Sequence, residues 1–149
     1  MPAVQGGLEA VPVAVGPNAV LQYTLKLRTG NVCLSSNTSN YITVNTCSST
    51  SAYQRWQIGT VNGWSVWINV GKPGKALTTS GSSSGASMSL QTAVGNRSQG
   101  FVWYYSDNLV YWQGNDTLVL SASSNTNGSR VYLKSDTGIG NQRWALTAH

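Results

Sequence analysis

Apolar residues along this chain come in short runs that alternate with polar ones. Leu25 and Leu27 alternate with Lys26 and Arg28, Ile42 and Val44 with Thr43 and Asn45, and Trp64, Val66 and Ile68 keep the same rhythm. A period of two is that of a strand with one buried face. Met88 and Leu90, then Val131 and Leu133, repeat the Ile42/Val44 pair further along. Thr29-Gly30-Asn31, Gly71-Lys72-Pro73-Gly74 and the Gly/Ser tract at 80–85 interrupt the runs with turn and loop chemistry. Trp67 and Tyr111 fall out of phase with the apolar positions of their strands, which predicts exposed rings.

The runs group into units that close in the same way. Gln54-Arg55-Trp56 returns unchanged as Gln142-Arg143-Trp144, and Gln99-Gly100-Phe101 is a weaker copy between them. Each aromatic is followed two positions on by another large apolar residue, Ile58, Trp103 or Leu146. The period is about 40 residues, a repeat architecture. Other landmarks recur with it. Cys33-Leu34 matches Ala76-Leu77 and Thr117-Leu118, and Cys47 matches Ala93 and Asp136. The units run from about 23–60, 61–105 and 106–149 as one domain, with residues 1–22 outside the repeat as an N-terminal arm or strand. Four short strands per unit cannot bury their faces separately. An all-β closed barrel with a hairpin cap and pseudo-threefold symmetry buries them together and removes exposed sheet edges.

Composition sharpens this. The 149 residues suit one domain with one core. Charged residues are only 9% of the chain, far below the usual quarter. Gly, Ser, Thr and Asn replace them, as strands joined by many turns require. The net charge of +5 comes from scarce acids, namely Glu9, Asp107, Asp116 and Asp136, and not from a basic stripe. Lys26 lies near Arg28 and Lys72 near Lys75, but no basic run forms, so no nucleic-acid partner is expected. No apolar stretch reaches the ~18 residues of a membrane span, so no membrane insertion is expected. Met1 to Gly7 lacks the basic and apolar regions of a signal peptide, which predicts a cytoplasmic or non-classically secreted protein.

Catalytic chemistry has little to work with. The single histidine is His149, the last residue, and a nucleophile–histidine site would rest on a frayed end. Asp107, Asp116 and Asp136 are the carboxylates from which a glycosidase pair would be drawn. No phosphate-binding glycine loop or metal motif occurs, and two cysteines without clustered histidines do not complete a zinc site. The expectation is a non-enzyme with no cofactor and no metal.

Three Gln-x-Trp-like motifs, each closing a unit with Cys-Leu or Ala-Leu upstream, resemble the ricin B-chain type (R-type) β-trefoil lectins from about residue 23 to 149. The resemblance implies that Trp56, Phe101 and Trp144 point into the barrel, while Gln54, Gln99 and Gln142 hydrogen-bond turn backbone. Residues at the positions of Cys33 and Cys47 commonly form a bridge in that family; two neighbouring buried thiols in a reducing cell are the other reading. Galactose-binding members carry an Asp just after Cys-Leu, an aromatic on the third strand and an Asn before the Gln. Here the Asp positions hold Ser35, Thr78 and Val119, the aromatic positions Asn45, Gln91 and Lys134, and the amide positions Tyr53, Ser98 and Asn141. No unit has the full set. The candidate carbohydrate-binding residues are therefore Ser35, Asn45 and Tyr53 in unit one and Lys134, Asp136 and Asn141 in unit three. Trp64, Trp67, Trp103 and Trp112 exceed what the motif uses, and exposed ones would serve as a sugar platform or a protein interface. The resemblance implies a metal-independent lectin-like protein binding glycans or glycoproteins in shallow loop sites. The alternative is a trefoil that does not bind sugar and acts through protein contacts, as a protease inhibitor or an accessory subunit of an enzyme; a protein partner or a homodimer is compatible with either.

Overall fold

The computed structural model describes residues 21–36 and 40–149. The foreseen N-terminal arm therefore lies outside the described residues, except for Leu21 and Gln22. The described chain is all-β. Unit one comprises β1 (Tyr23–Leu27), β2 (Val32–Ser35), β3 (Thr43–Thr46) and β4 (Trp56–Val61). Unit two comprises β5 (Trp64–Asn69), β6 (Lys75–Thr79), β7 (Ala86–Thr92) and β8 (Phe101–Trp103). Unit three comprises β9 (Val110–Trp112), β10 (Leu118–Ala122), β11 (Ser129–Ser135) and β12 (Trp144–Ala148). A single 3-10 turn precedes the fourth strand of each unit: Ala52–Gln54, Arg97–Gln99 and Gly140–Gln142.

The middle two strands of each unit form a hairpin in equivalent register. Cys33 faces Asn45, Ala76 faces Gln91 and Val119 faces Lys134. The hairpins then pair with one another, β11 with β3 and with β7, and Tyr41 bridges to Ser89. This is the cap. Its register corrects one equivalence. The third copy of Cys33-Leu34 is Val119-Leu120, not Thr117-Leu118. A slip of two residues keeps every side chain on its own face, so alternation alone could not separate the two choices.

The remaining strands make two hydrogen-bonded arcs, β12–β1–β4–β5 and β8–β9. Indole N–H groups reach across where the arcs meet. Trp67 of β5 donates to the Phe101 carbonyl of β8 at 2.9 Å, and Trp103 of β8 donates to the Trp144 carbonyl of β12 at 2.8 Å. The Trp144 amide also donates to the Asn108 carbonyl at 2.8 Å. Buried carbonyls at an unpaired strand edge need such donors.

Trp67 is thus fully buried, against the expectation of an exposed ring. The reason is its partner strand. Trp67 lies opposite Ile58, and Asn69 lies opposite Trp56. Directly opposed residues share a face, so the inward Trp56/Ile58 face of β4 draws Trp67 and Asn69 inward. Asn69 is satisfied there: its Nδ2 donates to the Tyr53 carbonyl at 2.9 Å and its Oδ1 accepts the Gly71 amide at 3.1 Å. Trp112 is buried, Trp64 and Trp103 are half-buried, and none of the six tryptophans is exposed. Tyr111 is half-buried, with its hydroxyl donating to Asp107 Oδ2 at 2.5 Å.

The recurring motif residues do parallel work. Trp56, Phe101 and Trp144 have 0% exposure in the core shared by all three units. Trp56 donates to the Leu34 carbonyl at 3.2 Å and Trp144 to the Leu120 carbonyl at 3.3 Å. Each glutamine side chain spans one turn. The Nε2 groups of Gln54, Gln99 and Gln142 donate to the carbonyls of Thr46, Thr92 and Ser135 at 2.9, 2.9 and 2.8 Å. Their Oε1 atoms accept the amides of Ser48, Val94 and Thr137 at 2.8, 2.9 and 2.9 Å. Cys33 and Cys47 are disulfide-bonded with Cα atoms 5.1 Å apart and a sequence separation of 14. A loop of that size contributes about 3 kcal/mol by restricting the unfolded chain.

Candidate functional site

The same three outward positions can be followed through each unit: the residue after the Cys33-Leu34 equivalent, the partner of the Cys33 equivalent on the third strand, and the residue before the motif glutamine. They are Ser35, Asn45 and Tyr53 in unit one, Thr78, Gln91 and Ser98 in unit two, and Ser121, Lys134 and Asn141 in unit three.

In unit one the three side chains are already engaged. Ser35 is buried. Asn45 accepts from Thr43 Oγ1 at 2.5 Å and donates to Asn127 Oδ1 at 3.2 Å. Tyr53 is half-buried with its ring against Gly71, where an added Cβ would lie 2.5 Å from Tyr53 Cδ1. A 250 Å³ cavity on this unit is lined instead by Lys26, the two cysteines, Gln54 and His149.

In unit two, Thr78 is held from both sides. Its hydroxyl donates to the Ala76 carbonyl at 2.8 Å and accepts from Gln99 Nε2 at 3.2 Å. A 360 Å³ cavity beside Ser98 is bordered by Arg97 and Trp112. Trp112 offers no open ring there: it is buried, Arg97 lies 5.2 Å over it, and its N–H donates to the Arg97 carbonyl at 2.7 Å.

Unit three is arranged differently. A cavity of about 240 Å³ brings Ser121, Lys134 and Asn141 together, with Ser123, Thr137 and Ile139 on its walls and Ser84 contributed by unit two. β10 and β11 present Ser121 and Lys134 on the face away from Leu120 and Leu133, which are in the core. The turn Gly140–Gln142 places Asn141 opposite them, and Gln142 fixes that turn through Ser135 and Thr137. Lys134 is exposed, Asn141 half-buried and Ser121 buried. The lining contains hydroxyls, two amides, one ammonium and one branched apolar side chain. Such groups donate and accept hydrogen bonds to a polyol and cover one apolar patch.

Asp136 does not join them. Its Oδ1 accepts the Gly138 amide at 2.9 Å and pairs with Arg143 at 3.4 Å, outside the cavity lining. The candidate set for unit three thus separates into Lys134 and Asn141 at the cavity and Asp136 on Arg143. Ser121 was missed because the equivalence was placed two residues too early. A signal was present: Leu120 stands as far before Gln142 as Leu77 stands before Gln99. Ser84 had no such signal, because it reaches the site only through the contact of β7 with β11, where its Oγ accepts the Ser135 amide at 3.2 Å.

Elsewhere, Asp107 accepts the Tyr111 hydroxyl and the Leu109 amide, and the His149 ring bonds Thr24 Oγ1 at 2.9 Å. Burial and then the hydrogen bond to Asp107 push the Tyr111 phenol well above its ordinary range. Among the described residues, no group of three or more His, Cys, Asp and Glu side chains lies together, and no helix is long and apolar enough to cross a membrane.

No sequence-family model matches the chain, and no curated protein matches it in sequence. Solved structures do match it. A designed three-fold symmetric protein, ThreeFoil, has a TM-score of 0.71 at 22% identity, covering 85% of this chain and 97% of its own. The Rhizoctonia solani agglutinin has a TM-score of 0.71 at 15% identity, covering 93% and 100%. The Macrolepiota procera ricin B-like lectin, solved in complex with lactose, has a TM-score of 0.68 at 14% identity, covering 91% and 98%. The fold is a β-trefoil, and its structural neighbours include ricin B-like lectins.

Proposed function

We propose that the protein is a lectin-type carbohydrate-binding protein whose working site is the unit-three cavity. The observation that carries this reading is the convergence there of Ser121, Lys134 and Asn141 from a cap hairpin and a motif turn. The corresponding residues of unit one are spent on internal contacts. Lectins among the structural neighbours support the class of function, since fold likeness raises a functional prior without supplying the site. Asn141 orients the sugar by its amide, the Ser121 and Thr137 hydroxyls exchange hydrogen bonds with ring hydroxyls, and Ile139 covers an apolar edge. Binding of this kind uses no metal and no bond is broken. The Cys33–Cys47 bridge favours an oxidising, exported setting over the cytoplasm.

A glycan array tests the reading. The expected result is signal from the wild type that survives chelator and falls about tenfold in Asn141→Ala, the effect of losing one well-placed polar pair. Absence of signal on every glycan would overturn it and favour a trefoil acting through protein contacts. None of the tryptophans lines the unit-three cavity, whereas Trp112 borders the unit-two cavity. Sugar binding is therefore expected to leave intrinsic tryptophan fluorescence unshifted.

A further inference from the structure

The unit-three cavity does not end at Lys134. Along β11, alternate side chains point away from the core, and these are Arg130, Tyr132 and Lys134, while Val131 and Leu133 are buried. The three form a continuous row. Lys134 Nζ lies 5.9 Å from the Tyr132 ring centroid, and the Arg130 guanidinium lies 6.0 Å from the same ring. Arg130 then lies 4.0 Å over the ring of Tyr41, which is 54% exposed. The row therefore reads ammonium, phenol, guanidinium, phenol. From Lys134 to Arg130 it spans about 13 Å, four residues of an extended strand. Such a length suits more than one sugar.

Charge sets this row apart. Lys134 is the one charged side chain lining the cavity. The lining holds no carboxylate, and Ser121 presents a hydroxyl there. Asp136, two residues beyond Lys134, is paired with Arg143 and so does not neutralise the row. Lys134 and Arg130 therefore give the cavity and the strand beside it positive charge, with no carboxylate in the cavity lining. Tyrosine faces suit the apolar sides of sugar rings, and a guanidinium held over a tyrosine keeps N–H donors at its edge for an anion.

We propose that the outward face of β11 extends the unit-three cavity into a binding strip for a linear acidic glycan. One sugar sits in the cavity against Asn141 and Ser121, and the carboxylate or sulfate groups of the chain lie against Lys134 and Arg130. The next ring packs on Tyr132, and Tyr41 holds the Arg130 guanidinium in place. This rests on the lectin reading of the same cavity and adds to it the charge class and the length of the ligand.

The test is titration calorimetry of the full chain with three hexasaccharides: fully N-acetylated chitohexaose, which is neutral; hyaluronan, which carries carboxylates; and chondroitin sulfate, which carries both anions. A single-stranded oligothymidylate of matched charge serves as the non-sugar polyanion. The expected result is that the acidic hexasaccharides bind at least about tenfold tighter than chitohexaose and weaken with added salt. Lys134→Gln and Arg130→Gln each remove most of that preference, while Lys26→Gln, on another strand, leaves it intact. Lys134 is exposed, so its variant keeps the fold, and Lys134→Glu reverses the preference toward chitohexaose. Hyaluronan binding equal to chondroitin sulfate assigns the contact to carboxylates, and chondroitin sulfate alone assigns it to sulfates; either supports the strip. Equal binding of chitohexaose, unaffected by Lys134→Gln, overturns the strip and leaves the lectin reading standing. Oligothymidylate binding as tightly as the acidic sugars, through the same two residues, also overturns it. No binding of any of these sugars, together with a blank array, overturns both.

Discussion

Single side chains settle which strand edges hold together. Trp67 bridges the two arcs through its indole N–H, which donates to the Phe101 carbonyl at 2.9 Å. Trp67→Phe keeps most of the volume and removes that donor. The expected cost is about 1–3 kcal/mol, the penalty for a buried carbonyl without a partner, read from denaturant unfolding. Tyr111 gives a different prediction. Its phenol is raised above its ordinary value of 10.0, by burial first and by Asp107 second. The folded protein then keeps a proton that the unfolded chain gives up at high pH. The associated stability is complete below about pH 10 and is lost as pH rises beyond it. Tyr111→Phe should flatten that alkaline limb, with melting temperatures compared across pH as the check. The inward positions of Leu25 and Ile42 were legible from alternation, and those of Trp56 and Trp144 from the recurring motif and the resemblance it carries. Trp67 was not, because its phase is set by the partner strand β4 and not by its own neighbours.

At the scale of elements, three copies of one turn have been tuned separately. Gly100 replaces the arginine found at Arg55 and Arg143. The space is taken: a Cβ there would lie 2.6 Å from Gln113 Oε1 and 2.6 Å from Trp64 Cε3. Gln113 in turn accepts the Ser65 amide at 2.8 Å, so it is not free to move aside. Gly100→Arg, which restores the motif in sequence, should therefore destabilise the protein by about 1–3 kcal/mol through overpacking, measurable as a lower melting midpoint. A variant as stable as wild type would mean that Trp64 and Gln113 yield easily. Element positions were mostly legible from turn residues and alternation. The hairpin β10–β11 was legible as a hairpin, but its equivalence to the others was not, because Leu118, Val119 and Leu120 all satisfy an apolar core position.

For the whole molecule, three equivalent units share one core yet differ in what they present outward. The scaffold could be read from the sequence because each motif glutamine acts locally, within its own turn, and the aromatic two residues on recurs with it. The site could be read only in part. Asn141 stands directly before the motif glutamine and Lys134 as far before it as Gln91 before Gln99, but Ser84 arrives from another unit, and Asp136 is drawn away by Arg143. Those are tertiary facts with no local signature. On the proposed function, recognition centres on unit three, with Ser84 of unit two and Tyr41 of unit one at its edges. Amide chemical-shift mapping with lactose and with sialyllactose tests that claim most directly. Shifts are expected only at residues 121–123, 130–142, Ser84 and Tyr41, larger with the acidic sugar. Shifts centred on Asn45 and Tyr53, or on Arg97 and Trp112, would contradict it.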